Sequence, residues 1–378
     1  MKSKVCHLCN AKLFPQAIME LDGIPKSAQY FPTKTEFKKD SGIELKVYQC
    51  SSCGLVQLNI DPVDYFREVI TAASFSKKTR LSRFDQMKIF VDKFCLSGKK
   101  ILEVGSGRGD MLEVLKEVGF KAYGLEASAV SVKKGRLFGR NLIHGYIGEM
   151  EKIPNAPFDA FISLNYLEHL PNPGAIISNI YNNTSRDSVG FVTVPNFAYL
   201  LETNCYYEFV ADHLSYFTQK TLTHAFEKNG FEVLNCDIIN EKNDIAVVVK
   251  KREALSISNN FFEVEALIED LKQIVAKYTT QKKRVAIWGA GHRTLALLAL
   301  SKIKNIEYVV DSAKFKQGKY TPVLHLNIVS PEHLNDDDID LILIMVPGLY
   351  PGEVIKRIIK MNINADLAVL RGNNIEFI

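Results

Sequence analysis

From Ile101 the chain reads Ile-Leu-Glu-Val-Gly-Ser-Gly-Arg-Gly-Asp, with glycine at every second place: Gly105, Gly107 and Gly109. An apolar run, Lys100–Val104, precedes these glycines, and a helical pattern over residues 109–118 follows them. Glycine adopts positive φ readily and lets a ligand approach the backbone closely. The segment therefore reads as a buried strand, a tight turn and a helix. Residues 121–125, 156–163, 188–193 and 246–250 supply further strand-like runs separated by helical patterns. Such an alternation implies a parallel α/β sheet with right-handed crossovers.

The alternation starts again near the C-terminus. Over residues 260–277, Phe262, Val264, Leu267, Ile268, Leu271, Ile274 and Val275 recur at one-sided helical spacing, the pattern of an amphipathic helix packed between domains. Beyond it, residues 284–288, 307–311 and 341–346 read as strands of a second, smaller α/β unit. Its first strand runs into Gly289-Ala-Gly291-His292-Arg293-Thr294, again a turn before a helix, and Asp311 ends the next strand twenty residues after Gly291. That spacing is close to a dinucleotide fingerprint, although Thr294 stands where a third glycine belongs. Amides at a helix start, with His292 or Arg293 nearby, suit a phosphate group. Substrate phosphate is expected here, ahead of a vestigial packing role and of bound NAD.

Four of the seven cysteines form two pairs, Cys6-x-x-Cys9 and Cys50-x-x-Cys53. Each pair offers two thiolates from one turn, and two such turns close a tetrahedral shell around a structural zinc ion. Neither pair heads a thioredoxin-like helix, which argues against a redox role. Cys95, Cys205 and Cys236 stand alone and are expected as small buried side chains. The N-terminus lacks the apolar run of a signal peptide, and no stretch approaches the roughly 20 apolar residues of a membrane span. A cytoplasmic location follows as the expectation, where paired cysteines hold metal rather than disulfides. With 47 basic against 43 acidic residues, the net charge of +4 speaks against nucleic acid or an anionic membrane as partner. A small anionic substrate remains compatible. The expected divisions are 1–62, a zinc-binding module; 63–255, the first α/β domain; and 256–378, the second.

The surroundings of the first glycine turn narrow its ligand. Glu103 lies two residues before Gly105, where a pyrophosphate would be repelled and an ammonium group attracted. Glu126 ends the next strand, placed for ribose hydroxyls, and Glu149 and Met150 precede Ile153-Pro154 in a position suited to adenine. This ordered set, together with Phe158-Asp-Ala-Phe-Ile-Ser-Leu164-Asn165-Tyr-Leu-Glu168-His169, resembles the class I S-adenosylmethionine methyltransferases over residues 100–170. The resemblance implies that Gly105, Gly107, Gly109 and Asp110 cradle the methionine part and that Leu164 and Asn165 line its pocket. Glu168 and His169 fit the common pattern without an assigned role.

Over nearly its whole length the chain resembles the sugar C-methyltransferase family of deoxysugar biosynthesis. The matching segments are Cys50-Ser-Ser-Cys53-Gly-Leu-Val-Gln-Leu58, the donor motifs, Asp212-His213-Leu-Ser-Tyr216-Phe-Thr218 and residues 307–320. The fold this implies is a class I methyltransferase (Rossmann-like) core, a small N-terminal zinc-binding module and a C-terminal Rossmann-like α/β domain. The implied substrate is a nucleotide-linked sugar, contacted by Tyr216, Gly289, Gly291, His292, Arg293 and Asp311. His213 is implied as the base, with Asp212 beside it, in a monomer or homodimer. The family commonly has a tyrosine where this chain has Val210, and tyrosines near the positions of Val69 and Thr71. Those losses leave carbon, oxygen and nitrogen open as the methyl acceptor. Two rival classes remain at this level: a nicotinamide-dependent oxidoreductase using the second turn, and a non-catalytic zinc-bearing assembly protein.

Overall fold

The computed structural model describes residues 5–68 and 76–378, which fall into two compact units, Met1–Ala254 and Leu255–Ile378. Val69 and Thr71 lie outside the described residues.

The first unit opens with three short strands, β1 (Met19–Ile24), β2 (Ile43–Gln49) and β3 (Val56–Leu58), followed by helix α1 (Lys77–Phe94). A regular alternation then runs through β4 (Lys100–Val104), α2 (Asp110–Glu117), β5 (Lys121–Glu126), α3 (Ala129–Leu137), β6 (Leu142–His144) and β7 (Phe158–Leu164). It continues with α4 (Pro173–Asn182), β8 (Thr184–Pro195), α5 (Phe197–Thr203), β9 (Ser215–Tyr216), α6 (Gln219–Lys228), β10 (Phe231–Ile239) and β11 (Asp244–Lys251). The main sheet has the order β10-β11-β8-β7-β4-β5-β6. Its central strands are buried on both faces, as continuous apolar runs require. Successive residues of β4 serve opposite cores. Ile101 packs with Met87, Met111 and Leu115 on one side, and Leu102 packs with Phe161, Phe226 and Leu55 on the other.

The expected parallel sheet needs correction at one edge. The strands from β6 to β8 are parallel, but β11 pairs antiparallel with both β8 and β10. The strand order reverses between β4 and β7, so the crevice for a ligand opens at their carboxyl ends.

The cysteine segment shares this framework. Strand β9, from far downstream, extends the sheet β1-β2-β3 through Val56–Tyr216 and Gln57–Ser215 pairs. Cys6, Leu8, Cys50 and Leu55 belong to the same buried cluster as Leu102 and Phe161.

The second unit is built from α7 (Phe262–Thr279), β12 (Val285–Trp288), α8 (His292–Ser301), β13 (Val309–Val310), β14 (Ile328–Val329), β15 (Leu341–Ile344), α9 (Tyr350–Lys360), β16 (Asp366–Arg371) and β17 (Asn374–Phe377). Its sheet order is β14-β13-β12-β15-β16-β17, parallel except for β17. Leu267, Leu271, Val275 and Tyr278 of α7 pack on Val285, Ile287 and Leu343 of that sheet. The helix expected to pack between domains thus covers the sheet of its own unit. Among the described residues, no helix is long and apolar enough to cross a membrane.

Candidate active site

At the first glycine turn, Gly105, Gly107 and Gly109 have φ of 75°, 53° and 79°, the left-handed region that favours glycine. Gly105 has a second constraint, because a Cβ there would lie 2.6 Å from the ring of Tyr166. Glu126, at the end of β5, ties the turn down: its carboxylate accepts from Gly107 N and Ser128 N, both at 2.8 Å. Asp110 starts α2 and pairs with Arg140 at 2.8 Å, and Arg140 also holds Glu113.

Glu103 is different. Its side chain is buried, and its Oε2 has no hydrogen-bond partner. Burial, then the nearby Asp110 and Glu126, push its pKa well above the ordinary carboxylate range. Ser106 Oγ, in the turn itself, is also buried and unpartnered. Buried polar groups are almost always paired in folded proteins, so two orphans at one turn mark a place where a ligand completes the bonding. A cationic ligand with hydrogen-bonding groups fits this set. From α1, Arg83 faces the same region: burial lowers its pKa, while Asp244 and Glu103 act to raise it. Sequence reasoning missed this cation, because nothing in the local pattern of α1 marks it.

Leu164 ends β7, half-buried, and Asn165 follows with φ of 47°. Asn165 Nδ2 donates to Asp244 at 2.9 Å, and its Oδ1 accepts from Thr193 Oγ1 at 2.6 Å. Glu149 pairs with Arg67 at 2.8 Å, and both Glu149 and Met150 line a surface hollow with Asn179 and Asn183.

Beside the donor turn lies a cavity of about 300 Å³, whose wall includes Tyr65, Asn165, Tyr166, His169, Asp212 and His213. Tyr166 belongs to this wall, and its ring also lies against Gly105, so the cavity and the turn share this residue. Asp212 accepts from Tyr65 Oη at 2.5 Å and from Ala28 N at 2.8 Å. His169 Nδ1 donates to the Asp212 carbonyl at 2.8 Å, and its ring meets that of His213 edge-on at 4.7 Å. Burial, and then His169, draw the His213 pKa down to about 4, while Asp212 acts in the opposite sense. The His213 ring is therefore neutral at pH 7. His213 also borders a second cavity of about 220 Å³, shared with Tyr216, whose hydroxyl accepts from Val210 N at 3.0 Å. Tyr65 carried no sequence signal, since it reaches Asp212 across 147 residues.

The four paired cysteines converge. Cys6 Sγ lies 3.5 Å from Cys53 Sγ, and Cys9 Sγ lies 3.5 Å from Cys50 Sγ. Four sulfurs at about 2.3 Å from one zinc ion stand about 3.8 Å apart, so the cluster fits that ion. The two knuckles repeat one geometry: Cys6 N donates to Ala11 O and Cys50 N to Leu55 O, both at 2.8 Å. Leu8 N and Ser52 N donate to the sulfurs of Cys6 and Cys50 at 3.4 and 3.3 Å, contacts that favour thiolate. The other three cysteines depart from expectation: Cys95 is exposed, and Cys205 and Cys236 are half-buried.

In the second unit, Gly289 has φ of 112° and a Cβ there would meet Val346 at 2.5 Å, whereas a Cβ at Gly291 would meet nothing. Asp311 accepts from Ala290 N and Ala313 N, both at 2.8 Å, and from Lys316 Nζ at 2.9 Å. Gly289 and Asp311 line a cavity of about 420 Å³ with Tyr350 and Arg357. Arg293 instead donates to Gly372 O at 2.7 Å, and His292 is exposed.

Residues 76–235 match a methyltransferase domain family, and residues 250–361 match the C-methyltransferase C-terminal domain family. The C-methyltransferase NovU of Streptomyces niveus is 24% identical over 323 residues, covering 76% of this chain and 76% of that protein. The mitochondrial ubiquinone biosynthesis O-methyltransferase of Schizosaccharomyces pombe is 29% identical over 133 residues, covering 31% of this chain and 48% of its own. Among solved structures, magnesium protoporphyrin IX methyltransferase (ChlM) of Synechocystis PCC 6803 is 14% identical with a TM-score of 0.39, covering 50% of this chain and 97% of that one.

Proposed function

We propose that this chain, an S-adenosylmethionine-dependent methyltransferase with a class I, Rossmann-like fold, methylates a carbon of a nucleotide-linked keto-sugar with His213 as the base. The observation that carries this reading is the position of Tyr166, which belongs to the wall of the His213 cavity and packs on Gly105. That shared residue supports reading the two as neighbouring donor and acceptor sites. The match of residues 250–361 to a C-methyltransferase C-terminal domain supports carbon as the acceptor.

On the donor side, Glu103 would take the cofactor's ammonium group and Arg83 its carboxylate, with Gly105, Gly107 and Gly109 giving the backbone room. Bound S-adenosylmethionine supplies a methyl group on a sulfonium centre. On the acceptor side, neutral His213 removes a proton from the carbon next to the sugar carbonyl. The carbon so deprotonated would be the nucleophile for the methyl group that the cofactor would supply. Asp212 positions the His169 imidazole through its carbonyl, that ring packs edge-on against His213, and the Asp212 carboxylate is itself fixed by Tyr65 and Ala28 N. The four cysteines would hold zinc, which substitutes for core in a segment too small to build its own. Cytoplasmic location completes the proposal.

The test uses zinc-loaded full-length protein, a pool of nucleotide-linked keto-sugars and a labelled methyl donor, read by mass spectrometry. The expected product carries the label on a sugar carbon. In D2O without donor, the adjacent carbon should exchange its proton. Replacing His213→Asn should abolish that exchange and cut turnover roughly 10²- to 10⁴-fold while leaving donor binding intact. Label found on oxygen, with no carbon exchange, would overturn the carbon assignment. An unchanged rate in the variant would remove His213 from the chemistry.

A further inference from the structure

One group of side chains beside the acceptor cavity carries the donor set of a metal site, apart from the four cysteines. Glu168 lies in the single 3-10 turn Leu167–His169, 2% exposed, and its Oε2 has no partner. The neighbouring His169 donates its Nδ1 proton to the Asp212 carbonyl, which leaves Nε2 as a bare lone pair 3.8 Å from Glu168 Oε1. That arrangement is the one metal-binding histidines show: one ring nitrogen held by a carbonyl, the other free for the ion. His213 completes the group, its ring edge-on to that of His169. One donor atom from each of the three lies within 4.8 Å of the others. Ligands about 2.1 Å from a common ion stand about 3 to 4 Å apart, so small side-chain adjustments bring these three into range. His169 and His213 also line the cavity of about 300 Å³, which leaves coordination positions open on that side.

We infer that Glu168, His169 and His213 form a second, inhibitory transition-metal site, in which a bound divalent ion occupies the imidazole that methyl transfer needs free. The inference rests on the proposed role of His213 as base. Two imidazoles and one carboxylate select zinc, nickel or cobalt over magnesium or calcium, which prefer oxygen-only shells. Nothing is oxidised or reduced. The ion binds lone pairs that the proton of the acceptor would otherwise use, and removing the ion restores them.

Equilibrium dialysis of the full-length protein against zinc and nickel chloride measures the site directly. Wild type should bind one ion per chain more than Glu168→Gln does, and His169→Asn should show the same deficit. In the turnover assay, added zinc or nickel should inhibit wild type at least tenfold, reversibly on adding a weak chelator that spares thiolate-bound zinc. Glu168→Gln, compared with its own uninhibited rate, should need at least tenfold more metal for the same inhibition. Equal ion counts in wild type and both variants would overturn the site, and so would inhibition unchanged by Glu168→Gln. Activation by the ion would overturn the inhibitory role. A one-ion deficit with no methyl transfer to any acceptor would sink the functional reading and leave the binding site standing, so the two failures are distinguishable.

Discussion

The chain contains two turns of one design, and one difference between them is the most informative. In the first, Glu126 at the end of β5 accepts from the amide of Gly107 and from Ser128 two residues on. In the second, Asp311 accepts from Ala290 in the turn and from Ala313 two residues on. Both acids therefore staple a strand end to a glycine turn. An acid at that place is explained by backbone bonding alone, and it identifies no ligand by itself. The difference lies two residues before the first glycine. Glu103 stands there in the first turn, with an unpartnered buried oxygen, and apolar Ile287 stands there in the second. The second turn is also internally neutralised, since Lys316 pairs with Asp311. In the first, Asp110 and Glu126 act on Glu103 against the smaller opposing influence of Arg83 and Arg140.

The contrast can be broken by exchanging the distinguishing residue. Glu103→Ile, which copies the second turn, should weaken S-adenosylmethionine binding at least 100-fold by calorimetry. It should also raise the melting temperature, because a buried carboxylate without a partner is costly. The converse change, Ile287→Glu, should lower stability by roughly 3 kcal/mol or more in denaturant titration.

The glycines separate the turns next. Gly105→Ala forces a side chain into left-handed backbone and against the Tyr166 ring, and should destabilise the fold by roughly 2 to 4 kcal/mol. Gly291→Ala, with φ of −89° and open space, should change the melting temperature little.

A smaller effect is expected at Lys316. For Asp311, burial acts upward, but the Lys316 ammonium and the Ala313 and Ala290 amides outweigh it and hold the pKa below its ordinary value. A depressed carboxylate stabilises the folded state above its unfolded pKa, near 4, and that contribution is lost as pH falls through the folded value. Lys316→Met should therefore cost about 1 kcal/mol at pH 7, discounted for partial exposure, with the difference from wild type shrinking below about pH 4. Thermal melts of both proteins across that range would check the sign.

Much of this framework is legible in sequence because it is local. β4, the turn and α2 follow from a buried run, three alternate glycines and the apolar stripe Met111, Leu112, Val114, Leu115. The two cysteine pairs announce their convergence in the same way. What sequence hid was long-range. β10 alternates irregularly between buried and exposed residues at a sheet edge, so no apolar run marks it. The reversed insertion of β11 depends on pairing, which the sequence does not state. The extension of the N-terminal sheet by Ser215–Tyr216 is equally non-local. In the site, Glu103 was readable from its place before the turn. The Tyr65–Asp212 contact and the meeting of His169 with His213 arise only when distant segments pack together. Glu126 and Asp311 have a backbone-capping role that sequence does not show, because a strand-end acid looks the same whether it binds a ligand, a backbone amide or both.

The most direct test of the central claim, that Glu103 makes the first turn the methyl-donor site, is proton-linked calorimetry. Zinc-loaded full-length protein is titrated with S-adenosylmethionine at pH 7 in two buffers of different ionisation heat. Burial, then Asp110 and Glu126, shift Glu103 toward its protonated form in the free protein, and pairing with an ammonium group would shift it back toward the carboxylate. Binding should therefore release up to about one proton, affinity should rise with pH until the free-state pKa is passed, and Glu103→Gln should release none. Binding without proton release, or equal affinity in Glu103→Gln, would contradict the account.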